Sequence, residues 1–354
     1  MYKFKIMKNI ESKSKKIFNK SKKTNKDLFS FNLIINYLIY FNLNIENILF
    51  DKKNKLGNPV IVASKYLDDL EKFINNIIQL KKFSSNKPIK KINFKIEVVH
   101  KHLFQKLWTN FSLNHYKKNR INRYVKRIKI NSLQKLIKNK KIIDFGCGHG
   151  NFLIACLYSG ANYCHGIDYG KNSITFAKKV LTKLGISKSK ITFKIKTAYK
   201  TGVKSASFDF AIQNGVFHHM NNELNAYKEV YRVLKPGGYF WLYTDGGGGI
   251  RDITLDLSQK ILSNINKTYV IEKIKEAGLV YNKKYHLGDG MNAAYRHTTY
   301  KRITKMLNKI GFENFKQLNG GFYTDFDKPF YKDKFFNEKF GSGDLRILCQ
   351  KKLK

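Results

Sequence analysis

Lys141-Ile142-Ile143-Asp144-Phe145-Gly146-Cys147-Gly148-His149-Gly150-Asn151 is the stretch that decides how this 354-residue chain is read. An apolar run ends in a carboxylate, three glycines follow at alternate positions, and Phe152-Leu153-Ile154-Ala155-Cys156-Leu157 continues with helical character. The pattern is strand, tight turn, helix start. Glycine suits such a turn because it reaches positive φ without strain and leaves no side chain between the backbone and a ligand. Glycines at every second position say little alone. In a dinucleotide-binding turn the third glycine would stand one place later, where this chain has Asn151.

The segments downstream narrow the reading. Tyr163-Cys164-His165-Gly166-Ile167 has the character of a second strand and ends in Asp168, about where such folds place the acid that holds a ribose diol. A nucleoside-bearing ligand is the expectation. Ser207-Phe208-Asp209-Phe210-Ala211-Ile212, Asn214-Gly215-Val216-Phe217-His218-His219 and Arg232-Val233-Leu234-Lys235-Pro236-Gly237-Gly238 then follow in order at ordinary spacings.

Together these segments resemble the class I S-adenosylmethionine-dependent methyltransferases, and within them the broad type 11 methyltransferase domain. The resemblance covers roughly Lys141 to Thr244, reaches more loosely over Lys106–Asn131 and Thr299–Lys351, and says little before His100. It implies an α/β fold with a doubly wound, mostly parallel seven-stranded sheet, Rossmann-like, carrying an N-terminal helical extension. It also implies S-adenosylmethionine as cofactor, with Asp144 fixing the glycine loop or the cofactor's amino end. Gly146, Gly148 and Gly150 would allow close approach, Asp168 would accept from the ribose hydroxyls, and Asn214 would lie on the cofactor side. One departure stands out: where the family has an acid near the adenine, this chain reads Lys196-Thr197-Ala198, leaving the backbone of Ala198 to serve the base. His218 and His219 follow the fourth strand and are the candidate bases, His219 first, because imidazole titrates near neutrality. The plainer role for His219 is packing or a bond to backbone.

Composition frames the rest. A formal charge of +43 would attract polyanions without sequence preference. The excess is spread, with 33 Lys and Arg against 8 Asp and Glu before residue 141 and 35 against 17 after it. It is also lysine-dominated, which fits biased codon usage better than a specific nucleic-acid reader. Non-specific nucleic-acid binding is therefore the expectation. Cys147, Cys156, Cys164 and Cys349 lack any C-x-x-C spacing, so reduced, structural cysteines in a cytoplasmic setting are expected, with no metal site.

Along the chain, residues 1–27 read as a disordered basic tail and residues 28–99 as a small, mainly helical unit. The apolar run Leu28–Phe41 is broken by Asn32 and Asn36 and falls short of a transmembrane segment. Ser84-Ser85-Asn86-Lys87-Pro88 reads as a linker. Residues 100–354 then form the methyltransferase domain, with its core at 141–244 and an insertion at 245–298 that is either a lid or a glycine-hinged connection. Trp108 and Tyr116 are candidate pocket residues, and Arg120, Arg123 and Arg127 have the spacing of a solvated helix face. Lys235-Pro236-Gly237-Gly238 reads as a helix stop and tight turn.

The favoured function is methyl transfer to a small-molecule acceptor. The alternative is an RNA methyltransferase whose lysine-rich N-terminal unit holds the backbone, and a third reading is a cofactor-binding regulatory module without catalysis. Gln213-Asn214-Gly215-Val216 stands where many base and glutamine N-methyltransferases carry Asn-Pro-Pro-Tyr. Acceptor identity and oligomeric state are not legible.

Overall fold

The computed structural model describes residues 2–24, 27–80, 114, 116–293, 295–328 and 331–353. They divide into two compact units, one gathering 1–100, 247–294 and 332–342, the other 101–246, 295–331 and 343–354. Trp108 lies outside the described residues.

The second unit is a seven-stranded sheet: β1 (Lys141–Phe145), β2 (Tyr163–Asp168), β3 (Ile191–Ile195), β4 (Phe208–Asn214), β5 (Leu234–Asp245), β6 (Phe312–Gln317) and β7 (Asp344–Lys351), in the order β3-β2-β1-β4-β5-β7-β6. The first five strands run parallel, and β7 is antiparallel to both neighbours. Parallel strands covered on both faces must be apolar on both. Alternate residues accordingly enter opposite cores: Ile142, Phe210 and Trp241 pack with Leu153 and Ile154 on one side, and Ile143, Ala211 and Leu242 with Val230 on the other. The strand order reverses between β2-β1 and β1-β4, and the carboxyl ends at that switch are where such sheets bind ligands. Lys235–Gly238 is part of β5, as a bulge between the pairs Phe208↔Leu234 and Phe210↔Tyr239. Gly237 there has φ +74, so the expected turn survives as a distortion inside the strand.

Arg123 and Arg127 are not on a solvated face. Arg127 is buried and donates from Nη2 to Asp325 Oδ1 at 2.6 Å and from Nε to the Gly320 carbonyl at 3.0 Å. Arg123 reaches the same carboxylate at 2.9 Å, and buried Arg346 pairs with Asp325, Asp327 and Asp344. The partners stand about 200 positions away in sequence, beyond the reach of local periodicity.

The first unit is helical. The helices Tyr2–Ser21, Leu28–Phe50, Pro59–Gln79 and Ile250–Ile261 pack as a bundle. A helix thus stands where a disordered tail was expected. Ile10 and Ile17 are buried at heptad spacing, and Lys13 and Lys20 each pair at 2.5 Å, with Asp68 and Glu71 respectively. These carboxylates lie on another helix, and tertiary pairing stabilises a segment whose own composition is poor. The insertion 247–294 belongs to this unit, with Ile250, Leu257 and Ile261 buried, so it is built into a helical body and does not stand as a separate loop.

Leu28–Phe50 is long and apolar enough, by length and composition, to cross a membrane, yet half of its apolar window is buried inside the protein. Its asparagines explain the difference. Asn32 accepts from Tyr269 Oη, Asn42 Nδ2 donates to Ser258 Oγ at 2.9 Å, and Asn44 accepts from Tyr66 Oη at 3.1 Å. They link the helix to its neighbours in the bundle. Asp27 caps its first turn by accepting from Ser30 N at 2.8 Å.

Candidate active site

The glycine turn has the conformation its spacing demands. Gly146, Gly148 and Gly150 have φ of +73, +52 and +78, where any other residue would be strained. The amides of Gly146 and Cys147 both donate to the Ile167 carbonyl, at 2.8 and 2.9 Å, tying the turn to β2. The three glycines differ in what surrounds them. A Cβ on Gly150 would lie 2.4 Å from Phe193 Cζ, and one on Gly146 2.5 Å from Val216 Cγ2, whereas one on Gly148 would meet nothing within 4 Å. Two glycines allow close packing, and the third faces open space.

Asp168 ends β2 beside this turn, accepting from Gly148 N at 2.9 Å and Gly170 N at 2.7 Å. Burial raises its carboxyl pKa while these two amides pull it back. Asp144 is buried at the end of β1 with Oδ1 lacking any hydrogen-bond partner, and burial, then the Asp168 charge, hold its pKa well above the carboxylate range. Asn214 ends β4 with Nδ2 donating to Tyr124 Oη at 3.1 Å and a buried, unpartnered Oδ1. Ala198 is buried in the turn after β3, its methyl packed in the hydrophobic core on one face of the sheet. Orphaned buried acceptors are rare and call for a donor. S-adenosylmethionine offers an ammonium and ribose hydroxyls, and Asp144, Asp168 and the open approach over Gly148 fit such a group.

Tyr116 opens a π-helical turn, Tyr116–Ile121, and donates from Oη to the His149 carbonyl at 2.6 Å. It braces the glycine turn. Burial and then the Arg120 charge lower the pKa of His149 to about 4.

The other half of the crevice, at the ends of β4 and β5, collects imidazoles. His218 is buried, its Nε2 3.0 Å from His219 Nε2 and its Nδ1 3.4 Å from Thr244 Oγ1, while His219 stays half-exposed. Tyr295 packs on both rings, with centroids 5.5 Å from His218 and 4.6 Å from His219. His297, parallel to Tyr295 at 6.1 Å, brings Nδ1 to 3.5 Å from Asp245 Oδ2. The segment 295–298 is held there by Arg296 N donating to the His218 carbonyl and Thr298 N to the Asp245 carbonyl. Tyr295, His297, Asp245 and Phe193 were not singled out in the sequence. Tyr295 and His297 reach the site only after an intervening insertion, and no short motif marks them.

The seven-stranded order with its one antiparallel strand, and the glycine turn beside Asp168 on that sheet, have the character of a Rossmann-like class I methyltransferase fold. Residues 136–309, just under half of the chain, match the family profile described as a methyltransferase domain. The chain carries a class I S-adenosylmethionine-dependent methyltransferase domain and is an enzyme that uses this cofactor. The matched description gives the class without the narrower type 11 label. Among solved structures the chain is similar to a putative sarcosine dimethylglycine methyltransferase from Galdieria sulphuraria, at 13% identity and TM-score 0.44, covering 74% of this chain and 100% of that one. It is also similar to a possible histamine N-methyltransferase from Thermotoga maritima, at 21% and 0.40, covering 71% and 98%. No curated protein matches.

Proposed function

We propose that the acceptor is a small molecule and that His219 assists its deprotonation, with His218 set behind it. The observation that carries this reading is the imidazole and tyrosine cluster at the carboxyl ends of β4 and β5, beside the cofactor crevice of the same sheet. When bound, the cofactor supplies a methyl group on a sulfonium, an electrophile for in-line displacement. The protein's part is to align the acceptor, exclude water and move a proton. With His218 Nδ1–H donating to Thr244, His218 Nε2 accepts from His219 Nε2–H, which leaves Nδ1 of His219 as the basic nitrogen. Against the RNA alternative, Lys13, Lys16 and Lys20 of the N-terminal helix pair with Asp68 and Glu71 inside their own unit, which favours a structural role for these three lysines. Single-turnover transfer from radiolabelled cofactor to an identified acceptor tests the assignment. His219→Ala should lose about 10²-fold or more at unchanged cofactor affinity. Near-wild-type turnover in both His219→Ala and His218→Ala would leave positioning alone.

A further inference from the structure

The turn between the helices Leu28–Phe50 and Pro59–Gln79 presents apolar side chains where a soluble tip would carry polar ones. Phe50, Leu56 and Ile61 are 41%, 54% and 57% exposed. Lys52, Lys53 and Lys55 stand exposed among them, and Asp51 is the only acid from 50 to 61. The turn is firmly built. Leu56 N donates to Asp51 Oδ2 at 2.7 Å, Gly57 N to the Asn54 carbonyl at 3.0 Å, and Asn54 N to the Asp51 carbonyl at 3.1 Å. It is also held from behind by a fully buried ion pair, Lys339 Nζ to Asp333 Oδ2 at 2.7 Å. The same Nζ donates to the Asp51 carbonyl at 2.8 Å, and Asp333 Oδ1 accepts from Asn54 Nδ2 at 3.2 Å. A buried pair of this kind costs desolvation, and here it fixes a loop whose outer side is apolar.

We infer that this turn is a docking tip for an anionic lipid surface. The residues from Lys52 to Gly57 are almost all exposed, and a Cβ on Gly57 would meet nothing within 4 Å, so the tip is convex. A convex tip offers a protein partner no pocket, but it suits the interfacial region of a bilayer. Leu56, Ile61 and Phe50 enter the acyl boundary, and the exposed Lys53 and Lys55 ammonium groups meet lipid phosphates. Apolar side chains and lysines at one place supply the two signals that stable peripheral binding needs. Charge alone would not. The net charge of +43 attracts any anionic surface, so the local apolar residues are what distinguish this tip.

The test places Leu56→Trp in the full chain, whose own tryptophans are Trp108 and Trp241. Phosphatidylcholine vesicles with and without phosphatidylserine are added at physiological salt. The expected result is a blue-shifted added emission that bilayer-embedded bromolipid quenches, with phosphatidylserine vesicles only. A charge-conserving triple variant, Phe50→Asn, Leu56→Asn, Ile61→Asn, should lose about tenfold or more of vesicle partitioning, while its thermal melt shows a folded chain. Unshifted, unquenched emission at position 56, or undiminished partitioning of the folded triple variant, overturns the inference. Vesicle binding abolished by salt alone, or competed fully by a short RNA, would assign the attraction to diffuse charge and overturn it as well.

Discussion

Placing alanine at Gly148 and at Gly150 should produce opposite defects from the same chemical change. Both positions have positive φ, which costs an L-residue about 1–2 kcal/mol. At Gly150 the new Cβ would also lie 2.4 Å from Phe193 Cζ, and Phe193 cannot retreat easily because it already underlies Gly166, where a Cβ would come within 2.5 Å of its ring. Overpacking of this kind adds about 1–3 kcal/mol. Gly150→Ala should therefore lose roughly 2–5 kcal/mol of stability, on the order of 10 °C in Tm for a domain of this size. At Gly148 no atom opposes the methyl, so only the backbone strain applies and the melt should fall by a few degrees. That methyl, however, occupies the approach a cofactor needs. Calorimetry below both melting points should find S-adenosylmethionine affinity down by about tenfold or more in Gly148→Ala, the cost of about 1.4 kcal/mol. If Gly148→Ala binds the cofactor like the wild type, the turn's open side is not the cofactor side and the geometric argument fails.

Asp325→Asn should destabilise the sheet unit by about 3–5 kcal/mol, because it leaves buried Arg127 facing a neutral amide, and chemical denaturation reads the loss. His149 and His165 are buried with pKa values of about 4, lowered first by burial and then by Arg120 and Lys194 respectively. Their depressed values mean the unfolded chain takes up protons first, so the stability they contribute is complete above about 6.5 and is lost as pH falls toward 4. Asp327, raised by burial to about 6, works in the opposite direction, so the double variant His149→Gln, His165→Gln is the cleaner probe and should flatten the fall in Tm between pH 6.5 and 4. A slope unchanged in that variant would remove the two histidines from the account. Binding of the whole chain to single-stranded RNA should be weak in sequence preference and collapse with added salt, as gel shifts at two ionic strengths would show.

The sheet was legible because its determinants are local. The run before Asp144 is apolar, the three glycines need positive φ, and Asp168 follows at a fixed distance, so each feature could be read within a short window. The apolar run Leu28–Phe41 was harder, because Asn32 reads as an interruption, whereas in the structure it accepts from Tyr269 Oη of the insertion. The N-terminal helix was misjudged for the same reason, since Lys13 and Lys20 are stabilised by acids some fifty residues on. At the candidate site the histidine pair was found because it directly follows a strand. Tyr295 and His297 were missed because their placement depends on backbone bonds to His218 and Asp245 that no spacing rule encodes.

Titration calorimetry of S-adenosylmethionine into the purified wild type and Asp168→Ala tests the central claim most directly. Asp168 accepts from two backbone amides of the crevice and keeps lone pairs for the ribose hydroxyls, so its removal should weaken binding by about 1–3 kcal/mol. The account predicts one saturable site in the wild type and an affinity roughly 5- to 150-fold lower in the variant. No saturable heat in the folded wild type, or equal affinity in the two proteins, would contradict it.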